Sequence, residues 1–173
     1  DYARREPASN AAMMAELDAF CAEVGGCGGK ALDAGFGLHA GQLMLGVIGE
    51  RERYESTVIA DAVNLASRLE SLTKFYGVRA ILSGAVLSSL EEPDRPLRFL
   101  DLVRVKGKTE PVEIYELVGP GDPAGPAKLS GAQDYRRGFD LYRSGDFGAA
   151  SATFAALAEA TPQDGAARLM LER

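Results

Sequence analysis

A chain of 173 residues with 46% hydrophobic and 25% charged side chains has the composition of an ordinary globular protein, and a chain of this length buries about 70% of its unfolded surface. A net charge of −6 argues against a general nucleic-acid binder, which needs a basic face, and no stretch approaches the ~20 apolar residues that span a membrane. Cys21 and Cys27 read as free thiols, no secretory leader is visible from Asp1 onward, and a cytoplasmic setting is expected.

Residues 9–24 space Ala12, Met13, Leu17, Phe20 and Val24 as an amphipathic helix capped by Ser9 or Asn10, and "GGCGGK" ends it. That glycine run is no phosphate loop, because Val24 and Ala31 stand where the pattern needs Gly and Ser or Thr. "GFGLHAGQLMLGVIG" alternates on both sides of Ala40-Gly41 and predicts a hairpin, with Gly46 and Gly49 allowing close approach or a bend and His39 packed or hydrogen-bonded. Residues 56–59 form a short extended piece. From Asp61, taken as a cap, to Tyr76, the residues Ala62, Leu65, Ala66, Leu69, Leu72 and Tyr76 make one helical stripe. "GVRAILSG" predicts a strand and "SGAVLSSL" a short helix capped by Ser83. "LRFLDLVRVKGKTEPVEIYELV" predicts a second hairpin around residues 106–108, with Asp101 and Glu110 as solvent-exposed carboxylates.

Residues 119–128, with three prolines and three glycines, have the composition of a linker. Beyond it, Gly138, Tyr142, Ala149, Ala150, Phe154 and Pro162 look like one tetratricopeptide-type repeat, two helices around Ser144-Gly145-Asp146. A single repeat is too small to stand alone, so this pair must lean on the preceding unit or continue beyond Arg173. The expected organisation is residues 1–118, a linker over 119–128 and a small all-α helical hairpin over 129–173.

The chemistry concentrates on the helix from Asp61. Asp61, Asn64 and Arg68 share a polar face beside the buried stripe. An amide and a guanidinium one turn apart can engage one ligand together, the amide orienting a hydroxyl and the guanidinium fork holding a phosphate. The plainer reading is a solvated face on which Arg68 pairs with Asp61 or Glu70.

Three segments in order, "GLHAGQLMLGVIG", "TVIADAVNLASRLE" and "VKGKTEPVEIYEL", together resemble the C-terminal half of the catalytic domain of class III adenylyl and guanylyl cyclases, over residues 9–118. The resemblance implies an α+β, ferredoxin-like nucleotidyl cyclase fold lacking its N-terminal strands, acting in intracellular signalling. It implies a dimer, as a homodimer or with a partner cyclase chain, whose active sites are shared between chains and convert ATP to 3′,5′-cyclic AMP and pyrophosphate. By position, Asn64 would orient the ribose, Arg68 would stabilise charge on the transferring phosphate and Lys106 would hold the terminal phosphates. Thr57 would select the base, where Thr or Asp accompanies ATP and Cys accompanies GTP; Asp61 is taken as a further substrate contact. Ala60 departs from the family's usual Gly.

The family also uses two Mg or Mn ions held by aspartates near its N-terminus, and an adenine-contacting Lys. Nothing before Ala34 matches these residues, so they are expected outside this chain, which alone is expected to be inactive. A cyclase-homology module serving dimerisation or nucleotide sensing is the alternative, with the helical tail as a surface for a protein partner.

Overall fold

The computed structural model describes residues 12–16, 19, 34–42, 44–50, 53–59, 61–89, 96–104 and 110–173, the strands at 44–50 and 53–59 by their backbone. The protein is a mixed α+β structure. Strands β1 (Phe36–Leu38), β4 (Ala80–Ser83), β5 (Leu97–Val103) and β6 (Val112–Leu117) form a four-stranded sheet in the order β1-β4-β6-β5, while β2 (Met44–Glu50) and β3 (Arg53–Ile59) form a separate two-stranded ribbon. Helix α1 (Asp61–Tyr76) follows the ribbon, and the four-residue α2 (Gly84–Leu87) follows β4. Four helices end the chain: α3 (Gly125–Ser130), α4 (Ala132–Ser144), α5 (Phe147–Ala160) and α6 (Gly165–Glu172).

The expected hairpin around Ala40-Gly41 does not form. β1 pairs in parallel with β4, Phe36 opposite Ala80, and β2 pairs antiparallel with β3, Met44 opposite Ile59. The alternation on either side of residues 40–41 is real, but alternation specifies a half-buried strand and not its partner. The second hairpin is formed, with β5 and β6 antiparallel and Leu97 opposite Leu117. Its turn and most of the expected first helix lie outside the described residues; residues 12–16 are helical and Met14 is buried.

Helix α1 buries the predicted stripe through Leu65, Leu69 and Tyr76, with Leu72 packed at its edge. It lies directly across β1 at Gly37, where a Cβ atom would stand 2.2 Å from the Ala66 carbonyl oxygen. Any side chain at residue 37 would force helix and strand apart. Strand β4 is buried along its whole length. Ile81 joins the core under α1, whereas Ala80 and Leu82 join a second cluster with Met14, Leu38 and Val86. Helices therefore pack on both faces of the sheet.

The C-terminal helices share the first of these cores. Tyr135, Phe139, Phe154, Ala166, Ala167 and Met170 cluster with Leu65, Leu69, Tyr76, Ile81 and Leu100. They lean on the preceding unit, and α4 packs against β5, the edge strand, which otherwise presents unpaired backbone groups.

The segment expected as a linker ends in a helix. Residues 125–128 begin α3, and Lys128 is buried, bonded to Glu116 Oε1 at 2.9 Å and Asp122 Oδ2 at 2.7 Å. Glu116 also accepts from Arg98 Nε at 2.6 Å, and the Arg98 fork reaches Asp164 with both terminal nitrogens, at 2.5 and 2.7 Å. Proline and glycine mark turns, and the buried Lys128 ties this turn-rich segment to the sheet through Glu116. Burial alone would raise the Asp164 carboxyl; the Arg98 guanidinium outweighs it and holds the group below the usual carboxylate range. Asp164 also caps α6 by accepting from the Ala167 N–H.

Candidate functional site

Asp61, Asn64 and Arg68 are exposed on α1, beside the face that packs on the sheet. Asp61 is the first helical residue, in the first turn, where a carboxylate complements the positive end of the helix dipole. The helix forms here because the apolar stripe has its core to bury and the polar residues interrupt none of it.

Arg68 opens onto a groove of about 570 Å³ between α1, the end of β5 and the end of α6. Leu72 and Tyr76 continue the α1 wall, Asp101 comes from β5, Arg104 directly follows that strand, and Arg173 follows the last residue of α6. Three guanidinium groups from distant parts of the sequence thus line one groove, which suits an anion. Asn64, one turn before Arg68, stands outside the groove lining.

The remaining predicted site residues divide. Thr57 lies in β3 with its backbone opposite Gly46. Lys106 lies outside the described residues. Among the described residues no group of three or more His, Cys, Asp and Glu could hold a metal ion, so they do not themselves fit a metal pair. His39 is hydrogen-bonded, its Nδ1 2.7 Å from Ser83 Oγ. Ser83, at the N-cap of α2, makes no side-chain cap bond.

Asp101 corrects the sequence reading. It is 3% exposed, not solvated. A bulge between Phe99 and Asp101 interrupts the two-residue alternation, and both Phe99 and Leu100 enter the shared core. Asp101 Oδ2 accepts from the Tyr76 hydroxyl and from Arg173 Nη1, each at 2.5 Å, and Oδ1 accepts from the Leu102 N–H at 2.7 Å. Burial and then the Asp101 carboxylate push the Tyr76 phenol well above its ordinary range, so it stays a neutral donor. Arg173 reaches this pair across 72 residues of sequence, a closure with no local signal.

The family described as adenylate and guanylate cyclase catalytic domain matches residues 7–119. The adenylate cyclase, terminal-differentiation specific, of Dictyostelium discoideum is 32% identical over 166 residues, which cover 93% of this chain and 8% of that protein. This match is too long to be contained in residues 1–119 and so enters the C-terminal helices. An adenylate cyclase of Anabaena cylindrica is 41% identical over 111 residues, 61% of this chain and 22% of that protein. The chain spans less than a quarter of the length of these relatives. The crystal structure of the guanylyl cyclase Cya2 is similar with a TM-score of 0.56 at 29% identity, covering 71% of this chain and 61% of that one.

Proposed function

We propose, for a chain that belongs to the adenylate and guanylate cyclase catalytic domain family, that it supplies one half-site of a class III adenylyl cyclase, a phosphorus–oxygen lyase acting in cytoplasmic signalling. The observation that carries the reading is the exposed Arg68, one turn after Asn64, facing a groove that Arg104 and Arg173 also line. Curated relatives named adenylate cyclase support ATP as the substrate.

In this reading the ribose 3′-oxygen attacks the α-phosphorus of ATP. A new O–P bond closes the ring, the bond to the β-phosphate oxygen breaks, pyrophosphate leaves, and the hydroxyl proton passes to solvent. Such chemistry relies on positioning and on stabilising charge spread over phosphate oxygens. Asn64 orients the ribose, Arg68 stabilises the transferring phosphate, Lys106 holds the terminal phosphates, and Asp61 borders the substrate. Thr57 offers a hydroxyl to the base edge and favours adenine over guanine without excluding guanine. Two Mg or Mn ions would compensate charge on the reacting oxygens, with carboxylates from outside the described residues. A partner cyclase chain completes the ferredoxin-like site, and the tetratricopeptide-like tail serves as a surface for a protein partner.

The test is an assay of the protein that carries this chain, with Mg or Mn and either ATP or GTP. Cyclic AMP is the expected product, with kcat/KM favouring ATP, and Arg68→Ala is expected to cut kcat by about 10²–10³-fold. The 173-residue chain alone is expected to make no detectable cyclic AMP. Full activity of Arg68→Ala would overturn the assignment. A whole protein that folds and binds ATP without turnover would favour the silent-module reading.

A further inference from the structure

The groove beside Arg68 has a buried carboxylate in its wall. Asp101 lines it and is almost wholly removed from water. An uncompensated carboxylate in a poorly screened place repels an anionic ligand. A cation from outside the sheet is paired with Asp101. It is Arg173, at the end of α6, with a side chain 30% exposed and one terminal nitrogen on Asp101 and the other 3.3 Å from the Tyr76 hydroxyl.

We propose that Arg173 is a positioning residue for the anionic ligand of this groove: it neutralises Asp101 and thereby makes the C-terminal helices part of the binding site. Tyr76 alone does not do this, because a neutral phenol donates a hydrogen bond but leaves the carboxylate charge in place. Helix α6 holds Arg173 there by several independent contacts. Gly165 at its start lies against the end of α1, where a Cβ would be 2.8 Å from the Tyr76 carbonyl oxygen, and Ala166, Ala167 and Met170 are buried in the shared core. Asp164, just before it, is held by the Arg98 fork. A displacement of α6 would withdraw Arg173 and leave Asp101 exposed to the ligand, so the helices following the catalytic domain act on affinity. The nature of the ligand, a nucleoside triphosphate, rests on the function proposed above; the charge argument requires only a polyphosphate.

The experiment uses the whole protein that carries this chain and compares Arg173→Ala, Arg173→Lys, Asp101→Asn and the double variant Arg173→Ala/Asp101→Asn. Binding of inorganic tripolyphosphate is measured by calorimetry, and KM and kcat for ATP by initial rates. Arg173→Ala is expected to weaken tripolyphosphate binding and raise KM about tenfold with kcat changed less than about twofold, and to lose most of that penalty at high salt. Arg173→Lys keeps the charge and should retain most of the affinity. The double variant should return to within about threefold of the wild type, a rescue that loss of packing alone cannot produce. Thermal melting of each variant separates folding defects from binding defects, and the lysine and double variants keep the test open if Arg173→Ala is unstable. Unchanged binding in Arg173→Ala, no rescue in the double variant, or no tripolyphosphate binding by the wild type would each overturn the proposal. Rescue of tripolyphosphate binding in a protein that does not cyclise ATP would sustain it while refuting the cyclase reading.

Discussion

Arg68 and Arg98 are the same residue type on the same domain, and their surroundings are opposite. Arg68 stands on the exposed side of α1 at the mouth of a groove. Arg98 has a side chain 1% exposed, clamped between Glu116 of the neighbouring strand and Asp164 at the start of α6. A guanidinium is a ligand group where water and ligand can reach it, and a structural fastener where two carboxylates already satisfy its fork. Residue type alone does not tell the two apart; burial and partners do.

Arg98→Ala should have the largest effect on stability. It leaves Glu116 and Asp164 buried without their shared cation, and chemical denaturation should show a loss of about 3–5 kcal/mol. Arg68→Ala should change stability by less than about 0.5 kcal/mol in the same experiment while nearly abolishing turnover in the whole protein. If the two variants lose comparable stability, the division between fastener and ligand group collapses.

Next comes the packing that brings the C-terminal helices together. A Cβ at Gly138 would stand 3.1 Å from both Phe154 Cζ and Thr153 Cγ2, with Tyr135 stacked edge-on to Phe154 at 5.3 Å between centroids. Gly138→Val should therefore overpack the contact of α4 with α5 and cost about 1–3 kcal/mol, read from the denaturation midpoint.

A smaller and pH-dependent effect sharpens the role of Asp164. Its folded-state value is lowered, so its contribution to stability is present above the unfolded-state value and is lost as pH falls through the folded one. Between pH ~7 and ~3 the wild type should lose more stability than Asp164→Asn, measured by urea denaturation, whereas Asp134→Asn should follow the wild type. Asp134 is the fitting control because its pair with Arg137 is exposed. Smallest of all, Arg137→Ala should shift stability by less than about 0.5 kcal/mol, since an exposed pair three residues apart on a helix is worth little.

Much of this protein was legible in its sequence. The buried stripe of α1 and the adjacent polar face follow from a 3.6-residue period, which is local and needs no knowledge of the rest of the chain. The β5–β6 hairpin was equally plain, because two alternating runs joined by a short turn find each other first. The resemblance to the cyclase family over residues 9–118 could be read from three short segments in order, and the family matches residues 7–119.

What the sequence did not settle is long-range in every instance. The partner of β1 is β4, more than forty positions away, and a period of two residues is silent on which strand lies alongside. Asp101 alternates like an exposed residue, yet a one-residue bulge breaks the alternation and a tyrosine and an arginine from two other elements enclose it. Proline and glycine in 119–128 correctly mark turns, but whether such a segment swings free depends on what its one lysine meets, and Lys128 meets Glu116 and Asp122. Local sequence determines the elements and the faces they offer. The burial of a charge, and so whether an arginine fastens or binds, is decided only when distant elements pack and remove the water between them.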